Sequence, residues 1–141
     1  VENARHPLFA VPNPRRVLVA DDHGPLRSMI ADALRADGCD VEEVADGGTA
    51  LHLLLEGGFR AAVIDVRMPD LDGLQVLEQL YVAGAGCDVI MMSVVADPVS
   101  RRRAAQFGAL AFHQKPFPLQ ALLEDVRRAC DTPMAAGRAL S

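Results

Sequence analysis

The chain has 141 residues, half of them hydrophobic, and a formal net charge of −5 at pH 7. That length suits one domain with a real core and not two, and no apolar run approaches the roughly 18 residues of a membrane span. An acidic chain with no Trp and one Tyr lacks both the basic groove and the stacking platform of a nucleic-acid binder, so direct nucleic-acid binding and membrane insertion are not expected.

No basic-then-apolar leader opens the chain, and the three cysteines, Cys39, Cys87 and Cys130, are an odd number without metal-ligand spacing. They suit reduced thiols in the cytoplasm. Residues 1–14 carry Pro7, Pro12 and Pro14 with little periodicity and read as a flexible lead-in. The opening Val1, in place of Met, fits a fragment of something longer. The periodic part runs over 15–131, and 132–141 reads as a tail or linker.

Val17-Leu18-Val19-Ala20 is a short apolar run of buried-strand type, ending in Asp21-Asp22. Pro25 suits the first turn of a helix that places Leu26, Met29, Ile30, Ala33 and Leu34 at helical spacing, up to a C-capping Gly38. Asp21-Asp22 reads either as a helix N-cap plus a solvated charge or as a carboxylate pair that needs a cation beside it. Val41–Val44 is a second strand. Gly47–Glu56 is a helix with Ala50, Leu51, Leu54 and Leu55 inward, stopped by Gly57-Gly58.

The central stretch is Ala61-Ala62-Val63-Ile64-Asp65-Val66-Arg67-Met68-Pro69-Asp70-Leu71-Asp72-Gly73. Its apolar start reads as a strand buried on both faces. It stops at Asp65, which either caps the loop or faces the edge where open α/β sheets bind ligands. A helix then runs from Leu74 to Val82, burying Leu74, Leu77, Leu80 and Tyr81 or Val82. Val89–Met92 is a fourth strand, ending in Ser93. Asp97-Pro98 opens a helix to about Phe107, capped by Gly108. Its Arg101-Arg102-Arg103 are spaced about 100° apart and cannot form one sharp face, which favours a solvated surface. Leu110–Phe112 is a fifth strand, leading to His113-Gln114-Lys115-Pro116. Leu119, Leu122, Leu123 and Val126 mark a last helix, ending near Asp131.

Five strands alternating with helices predict a parallel sheet with right-handed crossovers and helices on both faces. Asp21-Asp22, Asp65, Ser93 and Lys115 then stand at or just past the C-terminal ends of four strands, which share one edge. Lys115 is the one lysine among fourteen Lys+Arg residues. Clustered carboxylates suit Mg²⁺, a hard cation that demands oxygen ligands. Asp65 is then positioned to attack phosphorus and form an aspartyl phosphate, with Lys115 and the Ser93 hydroxyl holding the phosphoryl oxygens.

With those four motifs in order, the chain resembles the receiver domain of two-component response regulators over about residues 15–131. The resemblance implies a flavodoxin-like α/β fold with strand order 2-1-3-4-5 and five helices. It implies that Asp65 accepts a phosphoryl group from a histidine kinase or phosphotransfer protein. It also implies that Asp22, Asp65 and the backbone carbonyl of Arg67 bind Mg²⁺, with Asp21 contributing directly or through water. Phe112 takes the place of the aromatic residue that reorients on activation. The face formed by the fourth and fifth helices is then where a homodimer or a partner docks.

Three residues test the pattern. Ser93 stands where threonine is commoner, and Val94 where a small residue is usual. Val94 either narrows the approach to Asp65 or points into the core. Arg67 either lies over the site as a gate or points to solvent. His23 and His113 flank the site but are nitrogen donors, poorly suited to Mg²⁺. Two other functions compete. An Mg²⁺-dependent aspartate-nucleophile phosphatase wants an acid two residues after the nucleophile, where this chain has Arg67. A phosphate-independent pseudo-receiver would have no use for the retained acids, hydroxyl and lysine.

Overall fold

The computed structural model describes residues 15–131. The lead-in at 1–14 and the tail at 132–141 lie outside the described residues. Ten elements alternate: β1 (Arg16–Ala20), α1 (Gly24–Ala36), β2 (Asp40–Val44), α2 (Gly47–Glu56), β3 (Ala61–Asp65), α3 (Gly73–Ala83), β4 (Asp88–Ser93), α4 (Pro98–Gln106), β5 (Ala111–Gln114) and α5 (Leu119–Asp131). The strands form one sheet in the order β2-β1-β3-β4-β5, every neighbouring pair parallel. This is the flavodoxin-like α/β arrangement that the motifs imply.

The two-residue repeat of a strand divides the core into two layers. Val17 and Val19 of β1, with Val63, Ile90 and Met92, pack against Ile30 and Leu34 of α1 and Leu122 and Val126 of α5. Leu18 and Ala20, with Ile64 and Met91, pack against Leu54 of α2 and Leu74, Leu77 and Leu80 of α3. Every residue of β3 is buried, which is why it reads as a continuous apolar run rather than an alternating one. α4 is held differently: Ala104 is its one buried residue.

Several boundaries differ from the sequence reading. β5 is Ala111–Gln114 rather than Leu110–Phe112, and Leu110 is exposed. As an edge strand, β5 buries little, so polar His113 and Gln114 join its ladder without cost. In α3 the fourth inward position is Val76; Tyr81 and Val82 are both exposed. Leu55 and Met29, placed inward by spacing, are half exposed. Asp21 and Asp22 do not cap α1. His23 does, its Nδ1 accepting the Leu26 N–H at 3.2 Å.

The β3–α3 connection is pinned at both ends. The Gly73 N–H donates to the Val66 carbonyl at 2.7 Å, and the Gly47 N–H of α2 donates to the Pro69 carbonyl at 3.2 Å. Between them Asp70 adopts a left-handed backbone, φ +75°. A Cβ at Gly73 would stand 2.3 Å from the Asp65 carbonyl oxygen, and one at Gly47 would stand 1.9 Å from that of Leu71. Both contacts are with backbone, which cannot swing away. Gly73→Ala should therefore lower the unfolding free energy by about 1–3 kcal/mol. Gly24→Ala, whose Cβ would meet nothing nearer than an Arg27 guanidinium nitrogen at 3.8 Å, should be nearly neutral. Urea midpoints of the two variants check this, and equal midpoints would contradict the close approach.

Candidate functional site

In this sheet order the chain leaves β1 toward β2 on one side and returns to β3 on the other. The crevice at the C-terminal ends of β1 and β3 is therefore the topological switch point. Asp21 follows β1 and is fully buried; Asp65 ends β3 and is 5% exposed; Ser93 ends β4 and is 1% exposed. Lys115 follows β5, its N–H bonded to the Ser93 carbonyl at 2.8 Å. One side-chain oxygen from each of Asp21, Asp22 and Asp65 lies within 4.8 Å of the others. The Lys115 Nζ is 2.9 Å from Asp21 Oδ2 and 3.3 Å from Asp65 Oδ1. The other Asp21 oxygen accepts the His23 N–H at 2.9 Å.

Three carboxylates thus face one ammonium. Burial holds the Asp65 carboxyl up at about 6 against an ordinary 3.8; the charge on Asp21 adds to this, Lys115 opposes it, and Asp22 adds a smaller push. Asp65 is still largely anionic at neutral pH. The set is oxygen-only and carries more negative charge than Lys115 balances, which fits a hard divalent cation such as Mg²⁺. No helix among the described residues is long and apolar enough to cross a membrane.

The Ser93 Oγ accepts the Val95 N–H at 3.1 Å, which leaves its hydrogen to donate elsewhere. Phe112 is half-buried against the α2–α3 layer, and the Arg101 guanidinium lies over its ring at 5.0 Å. Arg101 is therefore more than solvated surface, as is Arg103, 3.6 Å from Glu78 of α3. Arg67 is exposed, and among the described residues its guanidinium makes no ion pair. Val94 is 56% exposed, so it does not point into the core. His113 turns away from the acids, its imidazole bonded to the Asp125 carboxylate on α5.

One feature beside the site has no sequence signal. Val94, Leu26, Met29, Ile30, Pro116, Phe117 and Leu119 line an apolar cavity of about 290 Å³ with Lys115 at its margin. Its walls come from α1, the β4–α4 connection and the start of α5. Met29, read as core from its spacing, is one of them.

Residues 17–127 match the family model of the response regulator receiver domain. The response regulator MprA of Mycobacterium sp. (strain KMS) is 38% identical over 115 residues, which cover 81% of this chain and 50% of MprA. The chain thus spans about half the length of the curated relatives it matches. A CheY-like response regulator receiver domain protein from Methanospirillum hungatei JF-1 superimposes with a TM-score of 0.78 at 27% identity, over 83% of this chain and 94% of that one. The beryllofluoride-activated NtrC4 receiver domain, solved as a dimer, gives a TM-score of 0.76 at 26% identity, over 83% and 97% of the two chains.

The raised carboxyl has a consequence for stability. Between about pH 4 and pH 6 the folded chain keeps the Asp65 proton that the unfolded chain has lost. Stability therefore falls as pH rises through that window, and above it the ionised Asp65 is a standing cost. In metal-free buffer, Asp65→Asn should raise the unfolding free energy at pH 7 by about 1–2 kcal/mol, the full shift being discounted because the site opens to solvent. The gain should shrink toward zero near pH 4. Urea unfolding at the two pH values checks this, and an equal gain at both would refute it.

Proposed function

Because this chain belongs to the response regulator receiver domain family, the signalling switches of two-component systems, we propose that a phosphoryl group on Asp65 operates its switch. The observation that carries this is the position of Asp65. It is the last residue of the central strand, 3.3 Å from the Lys115 ammonium and grouped with the oxygens of Asp21 and Asp22. Residues 15–131 are the receiver unit, working in the cytoplasm and assisting its own phosphorylation and dephosphorylation.

The donor is the phosphohistidine of a histidine kinase or phosphotransfer protein. An Asp65 oxygen attacks phosphorus in line, the P–N bond breaks, and the imidazole leaves. Lys115 lies against Asp65, where it neutralises one phosphoryl oxygen, and the free Ser93 hydrogen donates to another. Asp21, Asp22, Asp65 and the Arg67 carbonyl would hold Mg²⁺, which supplies further charge neutralisation at phosphorus. The apolar cavity beside Lys115 gives the donor protein a surface to cover. Arg67 and Val94 border the approach from opposite loops.

The switch needs differential binding. To move from about 1:99 to 99:1 the phosphoryl group must favour the active state by roughly 5.5 kcal/mol. One charge-assisted hydrogen bond contributes only about 1.5–3 kcal/mol, so Lys115, Ser93 and the cation act together. Ser93 moves toward the phosphoryl group, and Phe112 follows into the space vacated. α4, whose one buried residue is Ala104, is the helix that shifts at least cost. Its Val99, and Val95 in the connection before it, are exposed. With α5 it forms the face on which we place homodimerisation, by analogy with the activated NtrC4 receiver dimer.

With acetyl phosphate and Mg²⁺, intact-mass analysis should show one phosphoryl adduct, lost in Asp65→Asn and on chelation of the metal. An adduct of equal yield on the variant would overturn the assignment. Turnover without an adduct would favour a phosphatase, and no reaction would favour a phosphate-independent module.

Val94 is exposed, so Val94→Ala should change stability by less than about 0.5 kcal/mol. If the branched side chain narrows the path to phosphorus, the variant should load faster from acetyl phosphate and lose its phosphoryl group faster. Unchanged rates would remove Val94 as a gate.

A further inference from the structure

Among the described residues four polar or charged side chains are buried: Asp21, Asp65, Ser93 and Asp125. The first three form the strand-end site. Asp125 stands apart, midway along α5, and its carboxylate is held from two sides. Oδ2 is bonded to the His113 imidazole and Oδ1 to the Arg128 guanidinium, three residues on. An ionised carboxylate only accepts, so His113 Nε2 carries the hydrogen. His113 lies on β5 beside Met92 of β4 and faces the α1–α5 layer to which Met92 belongs; its neighbour Phe112 faces the other layer. Exchanging a buried polar pair for apolar residues of like volume is often neutral or stabilising. Stability alone therefore does not account for this network.

Its place on the chain supplies a use. His113 is two residues before Lys115, and its ring packs on that of Phe117, two residues after, with centroids 5.2 Å apart and planes at 35°. Lys115 thus stands at the apex of a segment, 113–117, whose two ends touch. We propose that His113 is a positioning residue for Lys115. Bonded to Asp125 and stacked on Phe117, the imidazole closes the base of that segment and so fixes where the ammonium stands, 2.9 Å from Asp21 and 3.3 Å from Asp65. A lysine stem is long and flexible, so its ammonium is only as well placed as the backbone that carries it. Charge-assisted bonds at a buried carboxylate are strong and directional, which is what a fixed base requires. The effect of His113 on rate rests on the phosphoryl chemistry proposed above; its effect on the ammonium does not.

Lys115 is the one lysine of the chain, so an amine-acylating reagent, read by peptide mapping, reports its exposure without phosphoryl chemistry. In the full chain, His113→Leu with Asp125→Leu removes the network and leaves apolar packing, whereas His113→Gln keeps an N–H near the place of Nε2. The double variant should stay folded by its urea midpoint and acylate Lys115 several-fold faster than wild type. It should load from acetyl phosphate and Mg²⁺ on the order of tenfold more slowly, a misplacement of about 1 Å being enough for more than that. His113→Gln should stay near wild type in both. If the leucine pair does not fold, Asp125→Asn, of the same shape, should move both readouts in the same direction by less. Faster acylation of a variant when even the wild-type chain takes no phosphoryl group would sink the phosphoryl reading and leave the positioning intact. Wild-type acylation in the folded variant would overturn the proposal, as would faster acylation with loading unchanged from a wild type that does load.

Discussion

The ammonium of Lys115, shared between the buried carboxylates of Asp21 and Asp65, is the interaction on which the C-terminal edge of the sheet depends. Carboxylates brought this close repel one another, and burial makes each charge dearer. A single fixed cation lets the acids coexist without neutralising them fully. The remaining imbalance is the chemically useful part. It favours a divalent cation at the acids. A compact, flexible ammonium is suited to serving two oxygens at once, and the chain uses arginine wherever a planar fork will do.

The rest of the fold makes that edge rigid and leaves its surroundings loose. β1, β3 and β4 are buried between two helical layers, so the residues at their ends have little freedom. The elements nearest solvent are different. α4 has one buried residue, and β5 is an edge strand of half-buried and exposed positions. Phe112 and Arg101 lie across the boundary between the rigid and the loose part. A change at Asp65 is thus expected to be expressed through α4 and β5 rather than dissipated in the core.

β1, β3 and β4 and the polar residues that follow them were legible because a buried parallel strand is an unbroken apolar run that stops where a polar group begins. Strand order came from the resemblance, and the structure bears it out. Helix faces were less legible. Tyr81 and Val82 compete with Val76 for the same face of α3 on composition alone, and only packing against the sheet decides. Met29 and Leu55 satisfy the spacing and still face outward. Contacts between distant parts of the chain were not legible at all. The Arg101–Phe112 stack and the cavity walls from α1 and α5 depend on how helices lie across the sheet. The His23 cap was missed because imidazole is an uncommon N-cap beside two aspartates.

The pinned β3–α3 connection separates the two edges of the sheet in how much alteration they tolerate. Surface loops usually accept insertions. This one has its carbonyls engaged by Gly47 and Gly73, and no room for a Cβ at either, so an added residue would have to displace α2 as well as the loop. The turn at Gly57-Gly58, beyond the other end of the sheet, is exposed, and Gly57 has open space around it. Lengthening, tagging or splitting the chain is cheapest there, far from the acids. The length of the acid-bearing loop is accordingly set by the fold, and variation in it has to enter through exposed side chains such as Arg67 rather than through added residues.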